Sequence, residues 1–405
     1  MKNFFIPISL LCFCLLSGCG SPGVSHENIT GSHRIVLENC LNQSGPVKLS
    51  EIADELQYVE LRSPHSVPIR AFRVQASRDY LFATTRDGLM QFDLQGNFIR
   101  NIGSRGNGPG EYQDAFTFFI DEDSQTIEVF CMPKTCLFSF EGRLLRETSI
   151  PIFLINLWIQ DSLIYTAESP DGSKKNRLTI LSRNMDTLGN IPNYKRFKPW
   201  DSGLISFGSL SGSTDGFYAY DRQVYFTGYA DNDSIWRLDG LSYTLHALID
   251  MGKYKAPEPH SARDMENDFD RMERKAGDYY QIDNILEDSR YIYLSASPYY
   301  NPKMEAPRIL FNKRTKTGVS PKTEDGIYKL TDDILGGLPF WPRTMSQHIA
   351  VGDWIESEKL LTQYKELPAP GSRLQEFMKG ITEDSGTIVI LARLKSEQDS
   401  GYKSK

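Results

Sequence analysis

Beyond residue 16 this chain has no apolar run long enough to cross a bilayer, which takes roughly 20 residues. It also lacks the excess of Lys and Arg that a nucleic-acid surface needs. Its 45 basic side chains stand against 52 acidic ones, a formal net charge of −7, whereas phosphate binding calls for a dominant basic face. No nucleic-acid partner is expected. Histidine is sparse, at positions 26, 33, 65, 246, 260 and 348. No His-x-x-x-His or Glu-x-x-His spacing and no Gly-x-Ser-x-Gly occurs, so neither zinc-hydrolase nor α/β-hydrolase chemistry has a signature here. Of the six cysteines, Cys12 and Cys14 lie in the N-terminal apolar run. No second Cys/His pair stands at ligand spacing, and no metal site is expected.

What is present begins at the N-terminus. One positive charge, Lys2, precedes an apolar stretch from Phe4 to Leu16 that only Pro7 and Ser9 interrupt. A positive start, a short apolar centre and a small-residue ending are the layout of a cleaved secretory signal, read over residues 1–18. Leu16-Ser17-Gly18-Cys19 resembles the bacterial lipobox. That resemblance implies cleavage before Cys19 and a covalent diacylglycerol or acyl lipid on it, the sole membrane contact; no other cofactor is expected. The competing reading is an ordinary signal peptide with a chance cysteine. Residues 19–50, rich in Gly, Ser, Pro and Asn, read as a flexible tether, and residues 396–405 as a disordered tail. Gly20-Ser21-Pro22 lacks the aspartate associated with inner-membrane retention, so an outer-membrane anchor facing the periplasm is expected.

Between residues 51 and 395 the chain is a succession of short strand-like runs bounded by turn residues, and its 22 Phe and 20 Tyr suit sheet better than helix. One unit recurs. An Asp-containing turn leads into an apolar strand, as at Tyr80–Ala83, Thr126–Phe130, Leu163–Tyr165, Val224–Phe226 and Tyr291–Leu294, and a hairpin pair follows. A four-strand unit of about 40 residues or more is the sequence signature of a propeller blade. One such sheet cannot bury both faces, whereas blades stacked around an axis can. Five units are counted between Ala71 and Glu324. The sixth is assembled from Gln347–Val351 and Gly386–Ala392, with Leu56–Leu61 pairing into it to close the ring and remove the open edges. The expected fold is an all-β six-bladed propeller with short helical insertions over Ser261–Ala276 and Asp353–Glu366, and around Leu374–Met378.

Ile102-Gly103-Ser104-Arg105-Gly106-Asn107-Gly108-Pro109-Gly110-Glu111-Tyr112, preceded by Phe92-Asp93 and Gly96-Asn97, resembles the blade junction of NHL-type propellers. With the lipobox and the Gly-Leu-Pro-Phe-Trp-Pro segment, the whole chain is similar to the six-bladed NHL-like or TolB-like propeller lipoproteins of gut-type Gram-negative bacteria. The resemblance implies fold and cell-envelope location far more than activity.

The candidate residues each have two readings. The glycines at 103, 106, 108 and 110 read as a structural turn, because a phosphate cradle would need a following helix. Arg105 in that loop either meets an anionic ligand or is simply solvated. Leu338-Pro339-Phe340-Trp341-Pro342-Arg343 holds the residue types of binding hot spots, with Trp341 and Arg343 as ligand candidates; the alternative is a buried Trp packing the last blade on the helices. Cys131 and Cys136 flank a short loop and form either a disulfide or two buried thiols. The carboxylates of Asp264–Asp270 read as a solvated helix face, and Asp231-Asn232-Asp233 as a hairpin turn. No catalytic residue is identified. The functional expectation is a lipid-anchored binding or scaffold module for a protein, peptide or glycan ligand. The alternative is a metal-dependent propeller hydrolase or lyase with an axial site.

Overall fold

A computed structural model of the protein describes residues 33–65, 67–150, 156–167, 175–193, 216–227, 233–255, 278–298, 301, 303–346, 348–363 and 373–395. The signal segment, Cys19, the acidic run at 264–270, Asp231, Asn232 and the tail lie outside the described residues.

Six antiparallel four-stranded sheets form the blades; the first five follow chain order, and the sixth takes its last strand from the N-terminal part. Blade 1 runs through Arg73–Ala76, Tyr80–Thr85, Gly88–Asp93 and Phe98–Ile102. Blade 2 comprises Thr117–Asp121, Thr126–Phe130, Lys134–Ser139 and Leu144–Ser149. Blade 3 holds Leu157–Gln160, Leu163–Ala167, Asn176–Ser182 and Thr187–Pro192. Blade 4 holds Phe217–Tyr220, Gln223–Phe226, Ser234–Asp239 and Ser242–Asp250. Blade 5 holds Tyr280–Glu287, Tyr291–Pro298, Arg308–Asn312 and Thr317–Pro321. First strands of neighbouring blades touch one another, so they line the axis.

Blade 6 closes the ring as expected. Thr344–Met345, Ile349–Ile355 and Ile388–Leu394 come from the C-terminal part, and Ala53–Glu60 supplies the fourth strand. That strand is antiparallel to 388–394, with Ile390 opposite Tyr58 and Ala392 opposite Leu56. Two helices, Ser357–Gln363 and Arg373–Lys379, are inserted in this blade. They bury Leu360 and Leu374 against Tyr58, Phe340 and Trp341. The first helix begins only at Ser357, because Asp353–Ile355 still belongs to the sheet.

The tether reading is corrected over residues 33–50, which are built into the body. His33–Val36 adds to the outer edge of blade 4 in parallel with 247–250. Helix Leu37–Asn42 buries Leu37 and Cys40, and Ser44–Gly45 extends blade 5 in parallel with Ser320 and Pro321. The polar composition conceals three fully buried anchors, Ile35, Leu37 and Leu49. The physical gain is that two exposed strand edges are covered.

This docking brings His33 to a buried ionic cluster between blades 4 and 5. The Glu287 carboxylate is wholly buried and accepts from Tyr218 Oη (2.9 Å), His246 Nε2 (2.9 Å) and Lys313 Nζ (2.8 Å). The His33 ring meets the His246 ring edge-on at 5.6 Å. Burial pulls His33 below its ordinary value of 6.5; His246, Lys313 and Lys316 add to that, and Glu287 opposes it. Folded His33 therefore binds a proton less readily than unfolded His33. The stability it contributes is complete above about 6.5 and is lost as pH falls through and below that value. Hydrogen-exchange protection factors of Arg34–Val36 are expected to drop between about pH 7.5 and pH 5.5, and His33→Phe should flatten that response. A response unchanged in the variant would assign the pH dependence to another group.

Candidate functional site

A cavity of about 1120 Å³ opens near the axis, on the side of blades 1, 2, 5 and 6. Its walls come from the hairpin at Thr85–Gly88, the crossovers into the first strands of blades 2 and 6, and the strands of blades 5 and 6. Arg105, Trp341 and Arg343, far apart in sequence, all line it. The volume slightly exceeds the range of about 300–1000 Å³ typical of small-molecule sites.

The Gly-rich crossover fixes the backbone at Arg105, whose side chain is exposed. Ser104–Arg105 pairs in parallel with Glu111–Tyr112. Gly103 has φ 72°, and a Cβ there would lie 2.7 Å from the Tyr112 ring and 2.9 Å from the Gly110 carbonyl oxygen, so only glycine fits. The Gly108 N–H donates to the Glu111 carboxylate (2.8 Å) and the Gly110 N–H to Glu147 (2.9 Å). These amides serve the turn and are not a phosphate cradle, in line with the structural reading of the glycines.

The cavity is cationic although the chain is acidic. Arg73, Arg86, Arg105, Arg308, Arg343 and Lys329 line it against Asp114, Asp283 and Asp353, an excess of three positive charges. Two of the aspartates are committed. Lys329 Nζ pairs with Asp353 at 2.5 Å, and Asp283 accepts from Ser297 Oγ (2.9 Å) and Gln281 Nε2 (3.1 Å). Arg73 donates to Thr117 Oγ1 (3.0 Å). Arg308 is half-buried and donates through Nη1 to three backbone carbonyls at 3.3 Å; its Nε has no partner among the described residues. Burial pulls Arg308 below its ordinary pKa, with Asp283 and Asp353 opposing. Arg86, Arg105 and Arg343 are exposed and form no ion pair among the described residues. The Arg343 guanidinium lies over Trp354, 3.8 Å from the ring centroid, a cation–π contact that holds the planar cation against the wall.

Trp341 is both core and wall. It is buried, its Nε1 donates to Ser295 Oγ (3.0 Å), and its ring meets Tyr293 at 5.7 Å. The buried-Trp reading of this segment therefore holds, and the cavity borrows one of its faces. Phe72, 61 % exposed, stands free at the rim. Arg86, Arg308, Lys329, Phe72 and Asp114 escaped sequence reasoning, since each belongs to a different turn or strand with no motif of its own. Arg86 did carry a signal, lying in a second-to-third-strand hairpin of a recognised blade.

Cys131, just past the strand Thr126–Phe130, and Cys136, in the strand Lys134–Ser139 of blade 2, lie outside this cavity. Both are buried and unbonded, with sulfurs 3.7 Å apart. The Cys131 thiol donates toward Cys136, which raises Cys131 and lowers Cys136. Among the described residues no three His, Cys, Asp or Glu side chains are grouped to hold a metal ion. No described helix is long and apolar enough to cross a membrane.

No curated protein matches the chain in sequence. Among solved structures, a protein of Bacteroides fragilis NCTC 9343 described as exported superposes with a TM-score of 0.65 at 15 % identity, over 90 % of this chain and 99 % of its own. At that identity the likeness is one of fold. A DUF4221-family protein of Bacteroides vulgatus ATCC 8482 gives a TM-score of 0.49 at 14 % identity, over 85 % of this chain and 97 % of its own. The model of the family described as "Domain of unknown function (DUF4934)" matches residues 32–393, and the chain belongs to that family.

Proposed function

We propose that this protein is an NHL-like propeller lipoprotein of the cell envelope, held through Cys19, that binds an anionic ligand in the cationic cavity. The observation that carries the reading is the convergence of Arg105, Arg343 and Arg86 on one cavity with guanidinium groups left unpaired among the described residues. Arginine forks are suited to carboxylates and phosphates. An outer-membrane anchor facing the periplasm is supported by the lipobox-like tetrad and the residues after it.

The test uses citrate, a compact tricarboxylate, as the probe. Citrate at millimolar concentration is expected to raise the melting temperature of the full chain by a few degrees, as a ligand held by the native state does. The double variant Arg105→Ala/Arg343→Ala should lose that rise and otherwise melt like the parent. An equal rise in parent and variant would mean that the cavity is not the anion site.

A further inference from the structure

The cavity offers more than charge. The guanidinium groups of Arg86, Arg105 and Arg343 come from three separate chain segments, the first hairpin, the Gly-rich crossover and the lead into blade 6. Beside them Asp114, exposed and without an ion pair among the described residues, supplies an acceptor, and Gln113 and Thr85 supply neutral polar groups. Phe72 stands exposed at the rim, and Phe116 and Trp354 also line the walls, Trp354 with the Arg343 guanidinium over its ring. A volume of about 1120 Å³ is far larger than a single inorganic anion requires.

Each of these features discriminates. A bare phosphate or sulfate would use the arginines and leave the rings and Asp114 without a role. A polyacidic peptide would use several arginines, but its closely spaced carboxylates would meet Asp114 as like charges, which costs binding. A ring that carries one carboxylate and several hydroxyls fits all of them. The carboxylate takes a guanidinium fork, hydroxyls donate to Asp114, and the C–H face of the sugar packs on an aromatic ring. The half-buried Arg308, its donors turned to backbone carbonyls, adds a positive charge to the lining without offering a free fork, and the Lys329–Asp353 pair is neutral.

We propose that the ligand is a short uronic-acid oligosaccharide. The assignment rests on the cavity being the binding site, as argued above. Such a ligand carries its carboxylates one per sugar ring, so that more than one guanidinium can be engaged along it.

The experiment is isothermal titration of the full chain with trigalacturonate, with galactotriose as the uncharged match and triglutamate as the charged match without sugar rings. Trigalacturonate is expected to bind at least tenfold more tightly than either control. Arg105→Ala and Arg343→Ala should each weaken it by about tenfold, as loss of a charge-assisted fork does. Phe72→Ala should weaken trigalacturonate more than citrate, a readout that charge alone would not move. Arg62→Ala, at a strand end outside the cavity, serves as the unaffected control. Circular dichroism melting shows that each variant is folded. If triglutamate binds as tightly as trigalacturonate, or galactotriose does, the uronate assignment is overturned while the citrate result still decides the cavity. If trigalacturonate binds equally to parent and arginine variants, the assignment of the sugar to this cavity is overturned as well.

Discussion

Glu287→Ala is expected to lower the unfolding free energy by about 3–5 kcal/mol, the usual cost of leaving a buried charge without its partner. Glu287 ends the first strand of blade 5, and its side chain is fully shielded from solvent. Three donors from blades 4 and 5 converge on it: Tyr218 Oη, His246 Nε2 and Lys313 Nζ. The Lys313 side chain is only 13 % exposed and lies over the Tyr220 ring at 4.1 Å, so its ammonium cannot simply swing into water. Burial works against the Glu287 carboxylate, but His246 and Lys313 outweigh it and hold the group below the usual glutamate range. The folded value being the lower one, this contribution is present above about 4.5 and disappears as the pH falls through the folded value. Glu287→Gln retains volume and an acceptor but not the charge, and should fall between parent and Glu287→Ala. Denaturant unfolding at neutral pH reads the effect as a shift in midpoint with little change in slope. A shift worth less than about 1 kcal/mol would show that the cluster relaxes without its anion, as exposed pairs do.

None of that cluster is visible in the sequence, because Tyr218, His246, Glu287 and Lys313 meet only after two blades have stacked. The propeller itself was legible, since its strands are written locally. Tyr80–Ala83 and Thr126–Phe130 follow Asp-containing turns, and both are second strands of their blades in the structure. The closing strand was legible for a different reason: Leu56 to Leu61 alternates like a strand but has no neighbours to pair with, so only the incomplete last blade could take it. Thr344–Met345 was missed because two residues carry no period. His33–Val36 was missed because its partner, the edge of blade 4, lies over 200 residues away and the surrounding composition is polar. The site was half legible. Arg105, Trp341 and Arg343 stood out by residue type, yet their meeting in one cavity depends on ring closure, which no local pattern encodes.

Removing residues 1–61 is the variant expected to do most damage, abolishing cooperative folding, whereas removal of residues 1–46 should leave a folded propeller with a lowered melting temperature. Both cuts take away the edge cover of blades 4 and 5, but only the longer one takes Ala53–Glu60, the fourth strand of blade 6. That strand buries Leu56, Tyr58 and Val59. At about 1.5–3 kcal/mol for each buried apolar side chain, the loss rivals the roughly 5–15 kcal/mol by which a domain is stable. It would also leave Ile388–Leu394, apolar on both faces, as an open edge prone to pairing between chains. Size-exclusion chromatography and near-ultraviolet circular dichroism distinguish the outcomes: association and loss of tertiary signal for the longer cut, a monomer with native signal for the shorter. A monomeric, cooperatively melting product of the longer cut would show that the five complete blades stand without closure. The strand also reaches the site. Tyr58 Oη accepts the Leu338 N–H at 2.9 Å, at the head of the segment that places Phe340, Trp341 and Arg343. Adding a synthetic peptide of residues 47–62 to the truncated chain should therefore restore the fold and the citrate response together, because the strand that completes the ring also sets the wall that carries Arg343.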